Sequence, residues 1–268
     1  MSLRILEYIR PKSIEEAYGL LQKEGAEILG GTTYVRLSNR TIKLAIDLQD
    51  LNLDTISVEG DWLKIGSMVK LGDLELSPMV KESFNGYITN FVSKIWSFQL
   101  RNVATVGGTV VPKWGFSDFL TGTLALECEL EFFKAGRMKL EDYLSSRSLG
   151  KDILTFLYIR RENRRASFKY LRNSEYDFSI VNVAVSAKID NGSLMNWRIS
   201  VGARPGVATL ARRAMKILDE SHDDEHVQLA VHSLIEEIPF GGDFRWSGKY
   251  RQEVAAVLFR RAIGEVIG

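Results

Sequence analysis

Ile28-Leu29-Gly30-Gly31-Thr32-Thr33 and Thr105-Val106-Gly107-Gly108-Thr109 are the two stretches on which the reading of this chain turns. Each follows an apolar segment, and each sets two residues without side chains beside hydroxyls. Glycine lets a backbone come close to a phosphate, successive N–H groups can point at its oxygens, and threonine adds uncharged donors. Two such loops facing one another would clamp the pyrophosphate of a single dinucleotide. Tight structural turns explain the same pairs more simply. Twenty-two glycines in 268 residues yield about two Gly-Gly pairs by chance, and three are present, the third at Gly241-Gly242. Neither loop matches G-x-G-x-x-G or G-x-x-x-x-G-K-[ST]. The spacing permits a phosphate site without establishing one.

Around the first loop the chain reads strand, helix, strand: a strand at 5–9, a helix at 14–23 opened by a Ser13/Glu16 capping box and stopped by Gly25, and a strand at 26–29. A short helix from Tyr34 and a strand at 44–47 complete a small α/β unit. A second unit starts near Leu53, with strands at 55–58 and 62–65 flanking the turn Glu59-Gly60-Asp61. A long helix over 78–95 follows, with Pro78 in its first turn, then an apolar helix or turn at 119–126 and strands at 129–133 and 153–159. Further on, strands at 168–171, 181–189 and 197–201 carry the hairpin turn Asn191-Gly192, and helices cover 208–218, 226–238 and 250–267. The polar run from Arg160 to Arg165 marks the boundary between domains at 1–162 (subdomains 1–52 and 53–162) and 163–268.

Bulk properties narrow the function classes. Net charge is +1 with 26% charged residues, which argues against a nucleic-acid binder needing a basic face. No apolar stretch approaches the ~20 residues of a membrane span, and residues 1–11 lack a signal-peptide core, so the cytoplasm is the expected compartment. Cys128 is the only cysteine. One thiol makes no disulfide and ligates no iron–sulfur cluster by itself, so redox chemistry here needs an organic cofactor or a partner's metals.

The wording around the two loops carries a family resemblance. Arg101-Asn102-Val103-Ala104-Thr105-Val106-Gly107-Gly108 resembles the "RNVATIGGN" segment of the FAD-binding subunits of the xanthine dehydrogenase and carbon monoxide dehydrogenase family. Leu29-Gly30-Gly31-Thr32-Thr33 resembles that family's first FAD loop, Ser117-Asp118 its "SD" pair, and Phe168 to Arg172 with Asp177 to Val181 the start of its C-terminal domain. Asp243 to Ser247, Tyr250-Arg251 and Arg260 to Ala262 resemble its closing helix, so the likeness runs almost the length of the chain.

The resemblance implies an α+β fold: a two-subdomain, PCMH-type α/β region holding FAD, then a C-terminal domain with an antiparallel sheet and helices. It implies that Leu29, Gly30, Gly31, Thr32, Thr33 and Tyr34, with Thr105, Val106, Gly107, Gly108 and Thr109, wrap the pyrophosphate. Asp118 is implied to accept hydrogen bonds near the adenosine ribose, and Leu154 and Lys169 to approach the flavin. It further implies partners: an iron–sulfur small subunit, a molybdopterin large subunit, and NAD, quinone or oxygen as acceptor. On that reading a valine at Gly31 or Gly108 blocks backbone approach to the cofactor. Three departures stand out: Thr33 replaces the usual acid, Thr109 the usual Asn, and Pro112-Lys113-Trp114-Gly115-Phe116 replaces small residues.

Two rival readings remain at this level: a degenerate structural subunit that has lost FAD, and a stand-alone FAD-dependent oxidoreductase. No Ser-His-Asp or Cys-His arrangement suggests covalent catalysis, so no protein catalytic residue is named. His222 and His226 have a ligand-like spacing, but a solvated helix start accounts for them. The run 160–165 reads as a solvated loop, Cys128 as a packed hydrophobe, and Trp96 and Phe98 as core or as flavin neighbours.

Overall fold

The computed structural model describes residues 3–203 and 206–268 and contains three sheets. The first is parallel: β1 (Arg4–Ile9), β2 (Ala26–Leu29) and β3 (Thr41–Asp47) pair in the order β1-β3-β2, with α1 (Ile14–Leu21) between β1 and β2. Ser13 caps α1 by accepting the Glu16 N–H at 3.1 Å. Glu16 reaches back to the Lys12 N–H at 2.7 Å, one residue before the position a capping box normally uses. Ala17 and Leu21 press onto Leu44 and Ile46, so the helix buries its apolar side on the sheet's middle strand. The helix expected from Tyr34 is a single 3₁₀ turn, Val35–Leu37.

The second sheet is antiparallel, in the order β4-β5-β8-β6-β7, from β4 (Ile56–Glu59), β5 (Trp62–Gly66), β6 (Cys128–Phe132), β7 (Gly136–Lys139) and β8 (Leu154–Arg160). Between β5 and β6 run α2 (Leu71–Leu76), α3 (Pro78–Ser83), α4 (Tyr87–Ser93), α5 (Phe98–Arg101), α6 (Val106–Val110) and α7 (Asp118–Leu124); α8 (Leu140–Ser145) follows β7. The single helix expected over 78–95 is thus two. Asn85 and Gly86, at φ +49° and +78°, take the left-handed conformation and break it. Four short helices were not anticipated (α2, α5, α6 and α8), each being six residues or fewer and too short to show a helical period.

The third sheet, β12-β11-β10-β9, comprises β9 (Arg164–Arg172), β10 (Ser179–Asp190), β11 (Ser193–Gly202) and β12 (Thr209–Leu210). Asn191 and Gly192, both at positive φ, make the anticipated hairpin turn between β10 and β11. α9 (Arg212–Glu220), α10 (Asp224–Glu237) and α11 (Gly248–Ile267) cover one face of this sheet, burying Trp197, Val183, Val185 and Ile199 against Ala214, Leu218, Leu234 and Phe259.

The other face meets α7 through a polar seam. Asp118, the first residue of α7, is 7% exposed, and its carboxylate accepts from Arg172 at 2.5 Å, from Ser179 at 2.6 Å and from Asn182. The Ser200 and Ser186 hydroxyls donate to the carbonyls of Thr121 and Ala125 at 2.6 and 2.5 Å. The run 160–165 spans the end of β8 and the start of β9, and it is not wholly solvated. Arg164 is 6% exposed and is spent on Glu162, the Ser186 hydroxyl and the Asn196 carbonyl.

Two outcomes follow from this packing. Asp118→Ala leaves the buried Arg172 guanidinium without its counter-charge and should lower unfolding free energy by about 3–5 kcal/mol in urea titration. A loss under about 1 kcal/mol, the range of surface ion pairs, would show that the seam does not depend on this pair. Cys128 is buried, which pushes its thiol up to about 12, and its Sγ donates to the Thr123 carbonyl at 3.1 Å. It should resist a chromogenic disulfide reagent in the native protein and react on denaturation; prompt native labelling would contradict this.

Candidate cofactor-binding site

The two glycine loops touch. β2 ends at Leu29, and Gly31 follows at φ +50°, where a Cβ would overlap the Val103 carbonyl. A Cβ on Gly30 would lie 2.8 Å from the Thr105 hydroxyl and 3.3 Å from the Gly108 nitrogen; one on Gly108 would lie 3.1 Å from the Gly30 carbonyl oxygen. Gly30 and Gly108 are bare because each loop occupies the space that the other's side chain would need. Thr32, a β-branched residue at φ +53°, carries backbone strain of about 1–3 kcal/mol in the first loop.

The loops differ in the donors they leave free. In the second, Val106 N–H donates to Val69 at 2.9 Å, Gly107 N–H to Ser67 at 2.7 Å, Gly108 N–H to the Thr105 hydroxyl at 3.1 Å, and Thr109 N–H to the Thr105 carbonyl at 3.0 Å. All four are consumed within the protein. In the first, the N–H groups of Gly31, Thr33 and Tyr34 donate to no acceptor among the described residues. An anion nest is therefore available from one loop, while the other acts as its scaffold.

Above this junction lies a cavity of about 510 Å³, within the ~300–1,000 Å³ common for small-molecule sites. Gly30, Thr32, Thr33, Tyr34, Thr105, Gly107, Gly108, Thr109 and Leu154 all line it. Leu29, Gly31 and Val106 do not, and serve as support. Val106 is fully buried in the core, and Gly31 faces Val103. A valine at Gly31 would thus disrupt the loop junction rather than block the cavity, contrary to the expectation from sequence. Asp118 and Lys169 also stand apart. Asp118 is committed to the polar seam, and Lys169 pairs with Glu265 beside a second cavity lined by Phe91, Lys94 and Tyr170.

Several lining residues escaped the sequence reading. Ser67, in the link from β5 to α2, is 3% exposed, and its hydroxyl has no hydrogen-bond partner among the described residues. A lone serine after a strand carries no recognisable signal. Glu27 and Arg40, on β2 and just before β3, form a two-bond pair at 2.8 and 2.7 Å on the cavity wall. Asp152 accepts the Ala135 N–H at 2.8 Å. The lining charges are thus already partnered, and an anion here is held by neutral N–H and hydroxyl donors.

Arg101, which opens the RNVAT segment, does not reach the cavity. It is 6% exposed, clasps Glu75 of α2 at 2.6 and 3.0 Å, and donates to the Ile95 carbonyl at 2.9 Å. It fixes the segment leading into the second loop. Trp96 meets Phe178 edge-on at 5.1 Å, and Phe98 is half exposed. His226 hydrogen-bonds Asp223, the α10 cap, at 2.8 Å, which raises the imidazole's affinity for a proton.

Residues 4–155 match the family profile described as the FAD binding domain in molybdopterin dehydrogenase, and residues 166–266 match the CO dehydrogenase flavoprotein C-terminal domain. The chain belongs to this FAD-binding family. It is 28% identical over 258 residues to the uncharacterized protein YgfM of Escherichia coli, covering 95% of this chain and 93% of that one. It is 25% identical over 216 residues to the nicotinate dehydrogenase FAD-subunit of Eubacterium barkeri, covering 73% of each. Its fold superposes on a chain of the carbon monoxide dehydrogenase of Hydrogenophaga pseudoflava with TM-score 0.91 at 22% identity, covering 100% of this chain and 98% of that one.

FAD is this family's cofactor, and the residues present fit it: free N–H groups on a glycine loop, a buried hydroxyl lacking a partner, and a cavity of suitable size. Ser67→Ala provides a selective test. Removing an unsatisfied buried hydroxyl should leave apoprotein stability unchanged or slightly higher, while FAD affinity falls several-fold, the scale of one hydrogen bond at about 0.5–1.5 kcal/mol. Equal FAD affinity in the variant would take Ser67 out of the site.

Proposed function

We propose that this chain is the electron-relay subunit of a molybdenum hydroxylase complex, taking electrons from iron–sulfur clusters on a small partner and delivering them to NAD, quinone or oxygen. A molybdopterin large subunit would hydroxylate the organic substrate. The observation that carries this reading is the junction of Gly30 with Gly108 beneath a cavity whose first loop presents free N–H groups. Bound FAD supplies reversible one- and two-electron chemistry.

The protein's part is to bind and orient. Thr33 and Tyr34 N–H groups take the diphosphate oxygens, with Thr32, Thr33 and Ser67 hydroxyls adding uncharged donors. Thr105, Gly107, Gly108 and Thr109 shape the opposite wall, and Leu154 with Met68 and Ile153 gives an apolar flank that excludes water. With Thr33 in place of an acid, no carboxylate of that loop repels the diphosphate.

The partner assignment has two supports. One cysteine cannot assemble an iron–sulfur cluster, so those centres lie on another chain. Among the similar proteins, one is named as the FAD-subunit of nicotinate dehydrogenase, and the carbon monoxide dehydrogenase is described as lacking the Mo-pyranopterin moiety of its molybdenum cofactor. We assign residues 1–162, subdivided near residue 52, to cofactor binding, and residues 163–268 to a second domain. No helix among the described residues is long and apolar enough to cross a membrane, and we assign the chain to the cytoplasm.

Titrating the apoprotein with FAD, followed by flavin absorbance and calorimetry, tests the cofactor half. One FAD per chain is expected, and Gly30→Val should abolish binding by separating the loops. Failure of the wild-type chain to bind FAD would leave a structural subunit. Co-expression with its partners should then yield a complex containing iron and molybdenum; a flavoprotein isolated without either metal, and active alone, would exclude the relay role.

A further inference from the structure

We propose that Tyr34, Trp114 and Phe116 form a stacking platform for a planar ring of the bound dinucleotide, with Lys113 as the residue that positions it. The inference rests on the site being an FAD site. It goes further by giving a task to the aromatic-bearing stretch Pro112 to Phe116.

Trp114 and Phe116 are nearly parallel, 15° apart with centroids at 5.5 Å, and Tyr34 leans against them at 4.6 and 5.9 Å. Tyr34 and Trp114 both line the cavity, yet they remain 47% and 36% exposed. Rings that only joined the two loops would be buried by that contact; these present open surface at the cavity's edge. Tyr34 couples the platform to the anion nest, since its own N–H is one of the free donors. A ring contact and a phosphate contact on one residue suit a ligand in which ring and phosphate are tethered.

The platform is held from behind. Lys113 sits at φ +52° and its ammonium donates to the Tyr143 carbonyl at 2.5 Å, the Ser146 carbonyl at 2.9 Å and the Ser146 hydroxyl at 3.1 Å. It also lies 4.0 Å from the Tyr143 ring centroid. None of these partners is a carboxylate; the side chain acts as a peg that anchors the segment to α8. On the other side the Gly115 carbonyl accepts the Ala203 N–H at 2.7 Å, and Phe116 packs on Phe178 at 4.3 Å. A ring fixed before binding loses little entropy when a ligand stacks on it.

Apoprotein and the variants W114A, W114F and K113M are titrated with FAD, ADP and FMN, following tryptophan emission and affinity. FAD should quench wild-type emission, and subtraction of the W114F signal should assign that quenching to Trp114. W114A should raise the FAD Kd roughly tenfold or more, the scale of one lost ring–aromatic stack, while W114F stays within a few-fold. K113M should reduce both the quenching and the affinity by less than W114A does. Whichever of ADP and FMN loses affinity in W114A carries the stacking ring, adenine in the first case and isoalloxazine in the second. Tight FAD binding without Trp114 quenching, and with unchanged Kd in a folded W114A, would overturn the platform and leave the FAD site standing. Absence of FAD binding to the wild type would remove both.

Discussion

The structure depends on one close approach, that of the Gly30 backbone to Gly108. Two chain segments more than seventy residues apart meet where neither has a side chain, and one residue on Gly31 lies close against the Val103 backbone carbonyl. A methyl group at any of these positions would push the first, parallel unit away from the helices that follow β5. The cavity exists because this junction closes its floor, and Arg101 clasping Glu75 holds the incoming segment in place. The glycines that look like phosphate contacts in sequence are thus first of all contacts between loops.

That division changes how the site handles charge. The second loop spends its N–H groups on Val69, Ser67 and Thr105, so the anion-binding capacity lies with the first loop alone. Arg40, the one basic side chain among the described lining residues, is engaged by Glu27. Neutral donors in a partly enclosed cavity can hold a diphosphate without an unpaired cation, which suits a chain of net charge +1.

The second domain meets the first through a polar seam set among apolar contacts, where Phe168, Phe178 and Leu210 pack on residues of the first. Asp118 gathers Arg172, Ser179 and Asn182, residues 54 to 64 positions further along the chain. A buried ion pair adds little net stability over an apolar pairing, but its geometry admits one register of β9 and β10 against α7. The seam therefore sets how the C-terminal sheet stands relative to the cavity. It also explains why Asp118, read from sequence as a cofactor contact, is occupied elsewhere.

Much of the fold was legible locally. Ser13 with Glu16, Gly25, Asn191-Gly192 and the strands at 26–29 and 181–189 carry signals that act within a few residues, because backbone conformation and capping are short-range effects. The family could be read from the wording of two loops, and with it the cofactor. Asn85-Gly86, a pair that favours left-handed turns, breaks the apolar run read as one helix. Short helices such as α6 leave no period to detect. Only the tertiary structure decided which glycine faces the cavity and which faces Val103, that Ser67 lines the cavity, and that Asp118 and Lys169 do not. Those outcomes depend on partners distant in sequence, and a chain read residue by residue does not show what packing will place beside each atom.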